Sequence, residues 1–424
     1  MVFVGVWFVV AVLTRGAVAS QHEGSRLGTI ESLVVRHSFQ LDGSTYESTT
    51  DKIRRDGHYY SHQTPILAPL EAPIFAVLHA AGLRFGSGSF DPAYYLLTLL
   101  TNGVALALTV VLIDRIQLLA GVAPSMSVVL AVWMVAATWL FPYGVVNNNH
   151  GVAGALLALM AYLLLLMELD GASRARCWWL GIALGLMSAI EVLPLGSFAP
   201  LAFWFLWKIN ADTRRLQWFA SGFMAPLAVH ALINIPITGD VIPAGLHGEL
   251  FDYSGSVFSS ATLTGFRKDR TSRELISYTW RALFADKAYF VLAPVLAIGV
   301  ATGIARWRWW QGARGTHVVL LLGSAISLAL AVATSNNYGG GAVGFRYATY
   351  LAPAFIVMLL PLTTARDRVS RICTAAVLVV AIGSAAVLFV FAMVQPWKPL
   401  TIPLEAPTIS WRLTSPVLTW LFHY

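Results

Sequence analysis

The chain has 424 residues, 57% of them apolar and only 12% charged, with a mean hydropathy of +0.68. Soluble domains carry about a quarter charged residues, so the composition excludes an ordinary soluble enzyme, a disordered protein and a disulfide-stapled secreted domain. It is that of a polytopic integral membrane protein. The formal net charge of +7 falls mostly in short loops between apolar runs, where the positive-inside rule accounts for it without a nucleic-acid partner.

A membrane span needs about twenty apolar residues. Eleven stretches are candidates: 2–19, 93–114, 123–141, 150–167, 177–195, 196–208, 217–236, 288–305, 316–334, 346–362 and 372–394. The region 177–208 carries Pro194 and Pro200 and reads as two short spans meeting at a Pro-rich outer turn. Basic residues set the sidedness. Arg174 and Arg176, then Lys208, Arg214 and Arg215, then Arg306, Arg308 and Arg314, then Arg366, Arg368 and Arg371 mark four short loops as cytoplasmic. The segments 21–92, 236–287, 335–345 and the tail 395–424 then lie outside. The N-terminus is inside and the C-terminus outside.

Two segments need separate treatment. The stretch 65–84 is apolar but carries Glu71, His79 and three prolines, and is expected to lie as a helix on the outer membrane surface. Ala17-Val18-Ala19 before Ser20 has the form of a signal-peptidase site. No basic region precedes the run and Arg15 ends it, so an uncleaved first span is expected. Either way residue 21 is outside. The two cysteines, Cys177 and Cys373, are far apart and are expected to be reduced.

The chain reads as one all-α transmembrane unit over 1–424, with its chemistry in the outer loops. The first external loop, 21–92, and the second, 236–287, are dense in His, Tyr, Asp, Glu, Arg and Trp rather than low-complexity, and loops of that length are functional or disordered. Leu27, Ile30, Leu33 and Val34 recur at helical spacing and predict a short surface helix after Glu23. A second surface helix is expected beyond Pro65, and a helix near 271–284 in the second loop. No Walker A loop and no clustered Cys/His spacing occurs. The segment His247-Gly-Glu249-Leu-Phe-Asp252 offers metal-ligand residue types at weakly diagnostic spacing. Gly339-Gly340-Gly341 lies on the outer side, as a turn or a close approach to a ligand rather than a nucleotide cradle.

Several elements, in their order and sidedness, resemble the GT-C class of membrane glycosyltransferases, which includes the lipid A aminoarabinose transferases and the protein O-mannosyltransferases. Glu23-x-x-Arg26 resembles the acid and Arg that follow the first span in that class. Tyr60-Ser61-His62-Gln63-Thr64-Pro65 resembles the Tyr-x-(Asp/Glu)-Lys-Pro-Pro element that opens a second surface helix. Tyr338-Gly339-Gly340-Gly341 through Gly344-Phe345-Arg346-Tyr347 resembles a late Gly-Gly…Gly-x-Arg-Tyr element, and Asn148-Asn149-His150 resembles an element at the outer start of the fourth span. The departures are Glu23 after His22 in place of the usual Asp, Gln63 in place of Lys, and Thr64 in place of one Pro.

The resemblance implies transfer of a sugar from a polyprenyl-phosphate donor, on the outer face of the cytoplasmic membrane, to a lipid, glycan or protein acceptor. One carboxylate acts as general base, and it must lie within hydrogen-bond reach of the acceptor. Glu23 is the leading candidate, with Glu31 and Asp51 behind it. Donor-binding candidates are Arg26, Tyr59, Tyr60, His62, Gln63, His150, Lys268, Arg346 and Tyr347; Arg267 and Arg270 are further cations for the phosphate, which favours a guanidinium. Glu191, an acid inside an apolar run, is functional or paired, with His230 a conceivable partner. No cofactor is certain; a divalent metal stays open. An O-antigen polymerase or ligase, a lipid or solute transporter and an inactive scaffold are the rival readings. The informative first loop, the lack of internal repeats and the crowding of polar residues at one face favour the transferase.

Overall fold

The computed structural model describes residues 1–86, 88–260, 270–335, 342, 344–364, 367–394, 416 and 417. Lys268, Arg267, the Tyr338–Gly341 stretch and nearly all of the tail 395–424 lie outside the described residues.

The fold is almost entirely helical. In chain order the helices are α1 (Val2–Leu13), α2 (Gln21–Val35), α3 (Leu67–Ala80), α4 (Pro92–Leu119), α5 (Pro124–Ala136), α6 (Asn149–Asp170), α7 (Arg174–Ile190), α8 (Leu193–Lys208), α9 (Thr213–Thr238), α10 (Ser272–Leu283), α11 (Pro294–Ala305), α12 (Arg314–Thr334), α13 (Arg346–Thr363) and α14 (Arg368–Val394). One two-stranded sheet, β1 (Lys52–Arg55) and β2 (His58–Ser61), lies between α2 and α3.

Helices occupy all eleven of the expected stretches, but only six are long and apolar enough to cross a membrane: α4, α6, α9, α12, α13 and α14. Helices α1, α5 and α11 have 12, 13 and 12 residues. At 1.5 Å per residue that is about 18–20 Å, against roughly 30 Å of hydrocarbon. Among the described residues six of the eleven stretches therefore meet the length of a full span, and α1, α5 and α11 are shorter apolar helices. Breakers start and stop these helices inside apolar runs. Pro124 and Pro294 open α5 and α11, and the chain turns extended at Glu191, which splits 177–208 into α7 and α8. The chain is an integral membrane protein.

The first loop builds as expected at its two helices and differs between them. Helix α2 starts at a capping box: Ser20 Oγ accepts from Glu23 N, and the Glu23 carboxylate accepts from Ser20 N. Its Leu27 and Ile30 bury against Phe75 and Leu78 of α3, and Phe75 stacks on Phe85 at 4.1 Å between ring centroids. Each such side chain contributes about 1.5–3 kcal/mol of burial, and this small core holds the two helices together. Helix α3 has 14 residues and is too short to span. The β-hairpin between them was not expected. Its turn is Asp56-Gly57, with φ of +52° and +87°, the pair of left-handed residues that a two-residue hairpin turn requires. The register pairs Lys52 with Ser61 and Ile53 with Tyr60, so Asp51 and His62 sit side by side at the open end.

Within the helical body, α7 and α9 approach backbone to backbone. A Cβ on Gly181 or Gly185 would lie 2.2 Å from Phe219 O or 2.3 Å from Phe223 O, and one on Gly222 would lie 2.4 Å from Trp178 O. Small residues at such spacing let membrane helices pack this closely. In the second loop, α10 forms where expected, capped by Thr271 and Glu274.

Candidate active site

A small polar cavity of about 80 Å³ is lined by His22, Arg26, Gln63, Asn147, Asn148, Asn149, His150, Glu191, Arg346 and Tyr347. The run of three asparagines organises one wall. Helix α4 carries a π-helical turn at Leu99–Gly103, a feature that re-aims side chains and is frequent at functional sites. It turns Asn102 toward Asn148: Asn102 Nδ2 donates to Asn148 O at 2.8 Å, and Asn148 N donates to Asn102 Oδ1 at 3.2 Å. Asn148 caps α6, its Oδ1 accepting from Gly151 N at 2.9 Å. With the middle residue so fixed, its two neighbours reach into the cavity.

Those neighbours hold Arg26. Its Nη1 donates to Asn147 Oδ1 at 3.0 Å and its Nη2 to Asn149 Oδ1 at 3.3 Å, whereas its buried Nε has no partner. Beyond the asparagines lie carboxylates. Asn147 Nδ2 donates to both oxygens of Glu71, at 3.0 and 3.2 Å. Asn149 Nδ2 donates to Glu191 Oε1 at 2.7 Å, and the same oxygen lies 2.5 Å from His150 Nδ1. Glu191 is thus paired with His150 rather than with His230. Arg346 enters from the start of α13; its Nε is buried without a hydrogen-bond partner, and its guanidinium lies 5.3 Å from the Tyr347 ring centroid. Gly344 precedes it with φ of +68°, and a Cβ there would meet Trp139 at 2.7 Å, which explains a glycine at that turn.

The first loop closes the opposite side. His22 Nδ1 lies 2.5 Å from Asp51 Oδ2, and His62 Nδ1 lies 3.5 Å from Asp51 Oδ1. Desolvation within the site, followed by the Arg346 charge, pushes the His22 imidazolium down to about 4. Burial pushes the Asp51 carboxyl up, but His62, His22 and Arg346 outweigh it and hold the group well below the carboxylate range. Gln63, where the resemblance has Lys, touches this group: its Nε2 contacts His22 Nδ1, lies 3.1 Å from His62 Nε2 and 3.4 Å from Asp51 Oδ2. Thr64 Oγ1 donates to Ile190 O at 2.9 Å, tying the hairpin exit to the end of α7 beside Glu191.

Other candidates lie elsewhere. Glu23 is buried and its carboxylate is occupied: Oε2 accepts from Ala19 N, Ser20 N and Ser20 Oγ at 3.0–3.1 Å, and Oε1 from the Tyr94 hydroxyl at 2.5 Å. The Glu31 carboxylate accepts from Thr45 N and Thr45 Oγ1. Tyr59 packs on Tyr253 under the Lys52 ammonium, and Tyr60 is buried with Ile53 and Phe251. None of these four lines the cavity. Arg270 donates to the carbonyls of Val332 and Ser335. Glu71, Asn147 and the ligand-like position of His22 were not singled out from the sequence. The only signal for them was their type: an acid, an amide and a histidine, with Glu71 and Asn147 beside apolar runs.

A second cavity, about 290 Å³, runs between α3, α4 and α6 and is lined by Leu70, Leu108, Val152 and Leu156 among others, with Glu71 at its edge. Burial raises the Glu71 carboxyl to about 7, against the pull of Arg26 and Asn147. Through the Glu71–Asn147 contact the apolar groove and the polar cavity share one wall.

No protein-family model and no curated protein sequence matches the chain. Among solved structures it is similar to ArnT from Cupriavidus metallidurans bound to undecaprenyl phosphate, with a TM-score of 0.50 and 11% identity over 93% of this chain and 64% of that one. It is also similar to the Archaeoglobus fulgidus oligosaccharyltransferase, in the complex with Zn and sulfate (TM-score 0.51, 14% identity, 91% of this chain and 53% of that one) and in the apo form (TM-score 0.50, 14% identity, 94% and 56%). The chain therefore spans less than two thirds of the length of each. The architecture of this chain is the GT-C fold of membrane glycosyltransferases.

Proposed function

We propose that the protein is a glycosyltransferase that moves a sugar from a polyprenyl-phosphate-linked donor to an acceptor on the outer face of the cytoplasmic membrane, with its N-terminus inside and its C-terminus outside. The observation that carries this reading is the junction of two cavities. Two guanidiniums, Arg26 and Arg346, each bring a buried Nε without a hydrogen-bond partner to the polar cavity. The adjoining groove is apolar. A lipid phosphate has the matching parts: an anion for the arginines and a hydrocarbon tail for the groove. The undecaprenyl phosphate bound in the ArnT structure is consistent with it.

The reaction is a displacement at the anomeric carbon. The acceptor hydroxyl oxygen forms the new bond, the bond from carbon to phosphate oxygen breaks, and the polyprenyl phosphate leaves with the electron pair. The hydroxyl proton passes to a carboxylate. Among the first-loop acids we assign this role to Asp51, because Glu23 is committed to the α2 cap and Glu31 to Thr45, whereas Asp51 contacts the cavity-lining His22 and Gln63. The acceptor is a lipid, glycan or protein bearing that hydroxyl.

The test is release of free polyprenyl phosphate from a panel of polyprenyl-phosphate sugars by the purified protein in lipid nanodiscs, with candidate acceptors added. Wild type releases it, and Asp51→Asn and Arg346→Gln do not. Binding of no donor by the wild type refutes the reading.

A further inference from the structure

The open end of the hairpin, together with the first turn of α2, has the make-up of a metal centre. His22, Asp51 and His62 each bring one ligand atom to within 4.8 Å of the other two. We propose that these three residues bind a divalent transition-metal ion of the Zn²⁺ type.

The donor set is two imidazole nitrogens and one carboxylate, which suits Zn²⁺ and related ions rather than Mg²⁺ or Ca²⁺. Bonds of about 2.0–2.1 Å in a tetrahedral site put neighbouring ligand atoms about 3.3–3.4 Å apart. The two contacts to Asp51, 2.5 Å from His22 Nδ1 and 3.5 Å from His62 Nδ1, bracket that value, and the three ligand atoms all lie within 4.8 Å of one another. His62 Nδ1 is buried and has no hydrogen-bond partner, which a ligand bond would supply.

The surroundings hold the three side chains as a metal site requires. The hairpin register fixes Asp51 beside His62. Phe251 and Phe258 of the second loop wedge the His62 ring at 5.7 and 5.9 Å between centroids. Ser25 Oγ lies 2.6 Å from both the Asp51 carbonyl and Ser61 Oγ, which clamps the hairpin to the helix that carries His22. The Gln63 amide contacts all three ligand residues, and turned about its last bond it presents a carbonyl oxygen as a fourth ligand.

The chemistry also explains the most conspicuous departure from the resemblance. A Lys at position 63 carries a fixed positive charge; Gln63 does not. An ion bound by His22, Asp51 and His62 restores a positive charge beside Arg26 and Arg346. This role rests on the transferase reading, whereas metal binding does not. Asp51 then ligates through one oxygen and keeps the other for the acceptor proton.

The experiment is calorimetric titration of Zn²⁺ into the full-length protein in nanodiscs, freed of any affinity His-tag and treated with chelator, with stoichiometry by elemental analysis and Mg²⁺ as the contrast. One Zn²⁺ per chain is expected, with affinity weakened more than ~10-fold in His22→Ala and in His62→Ala. Size-exclusion profiles check that both variants are folded, and His62→Gln, which keeps a polar side chain of similar reach, is a second variant with the same expected loss. Absence of stoichiometric Zn²⁺ binding, binding unchanged in His22→Ala and His62→Ala, or binding lost instead in His247→Ala, whose ring contacts Asp240 and Glu249, overturns the proposal. Sugar transfer is not the readout, so failure of the transferase reading leaves this result intact.

Discussion

Glu71 makes the stability of the fold depend on pH in a direction opposite to that of most carboxylates. Its carboxyl is raised from 4.5 to about 7, chiefly by burial. The folded state therefore binds more protons than the unfolded chain between these two values. The contribution is fully present below about pH 4.5 and is lost as pH rises through about 7. A carboxyl carried from 4.5 to about 7 corresponds to about 3 kcal/mol. For 424 residues, an unfolding entropy of about 2 cal/mol/K per residue makes this about 4 °C in Tm. Glu71→Gln keeps the shape, still pairs with Asn147 and removes the titration. Thermal unfolding in detergent at pH 5 and pH 7.5, wild type against Glu71→Gln, is the assay. About 2.4 kcal/mol of this falls between pH 5 and pH 7.5, so wild type should lose about 3 °C more than the variant between the two pH values. Parallel pH profiles would refute the assignment of a proton to Glu71.

Glu23→Gln should lower stability by about 0.5–2 kcal/mol through the α2 cap while retaining polyprenyl-phosphate release, which Asp51→Asn abolishes; the reverse pattern would return the base to Glu23. Gly185→Leu should prevent recovery of monodisperse protein, because its Cβ would lie 2.3 Å from Phe223 O, whereas Gly196→Ala, where the nearest atom is the Leu330 side chain at 3.6 Å, should be recovered as wild type. Gly57→Val should cost about 1–3 kcal/mol, since a β-branched residue is strained at φ of +87°, and should weaken whatever binds at the hairpin's open end; an unchanged Tm would argue against the turn geometry.

The surface helices were legible because their signals are local: apolar residues at helical spacing in α2, and prolines with Glu71 in α3. Helix ends were not, since proline positions inside apolar runs, not the runs themselves, set where α5 and α11 begin. The hairpin had a readable cue in Asp56-Gly57, but its short strands lie in a segment rich in charge, where alternation is weak. The site was half legible. Arg26, His62, Gln63, His150, Arg346 and Tyr347 were marked by the resemblance, and all but His62 line the polar cavity, with His62 against Gln63. What sequence could not supply was pairing at long range: Asn147 lies 121 residues from Arg26 and 76 from Glu71, and His150 lies 41 from Glu191. Nothing in local pattern reports such contacts. Nor does it report that the Glu23 carboxylate is turned inward, toward Tyr94.

The reciprocal amide pair between Asn102 and Asn148 has a mechanical consequence. It fastens α4 to the start of α6, with Gly151 seated so close that a Cβ there would lie 3.1 Å from Asn102 Nδ2. Two of the three walls of the apolar groove are thereby one rigid panel. The third wall, α3, belongs to the first loop and joins that panel at the polar end through Glu71 and Asn147. Any widening of the groove at its polar end has to part α3 from that panel, at the cost of the two hydrogen bonds from Asn147 to Glu71.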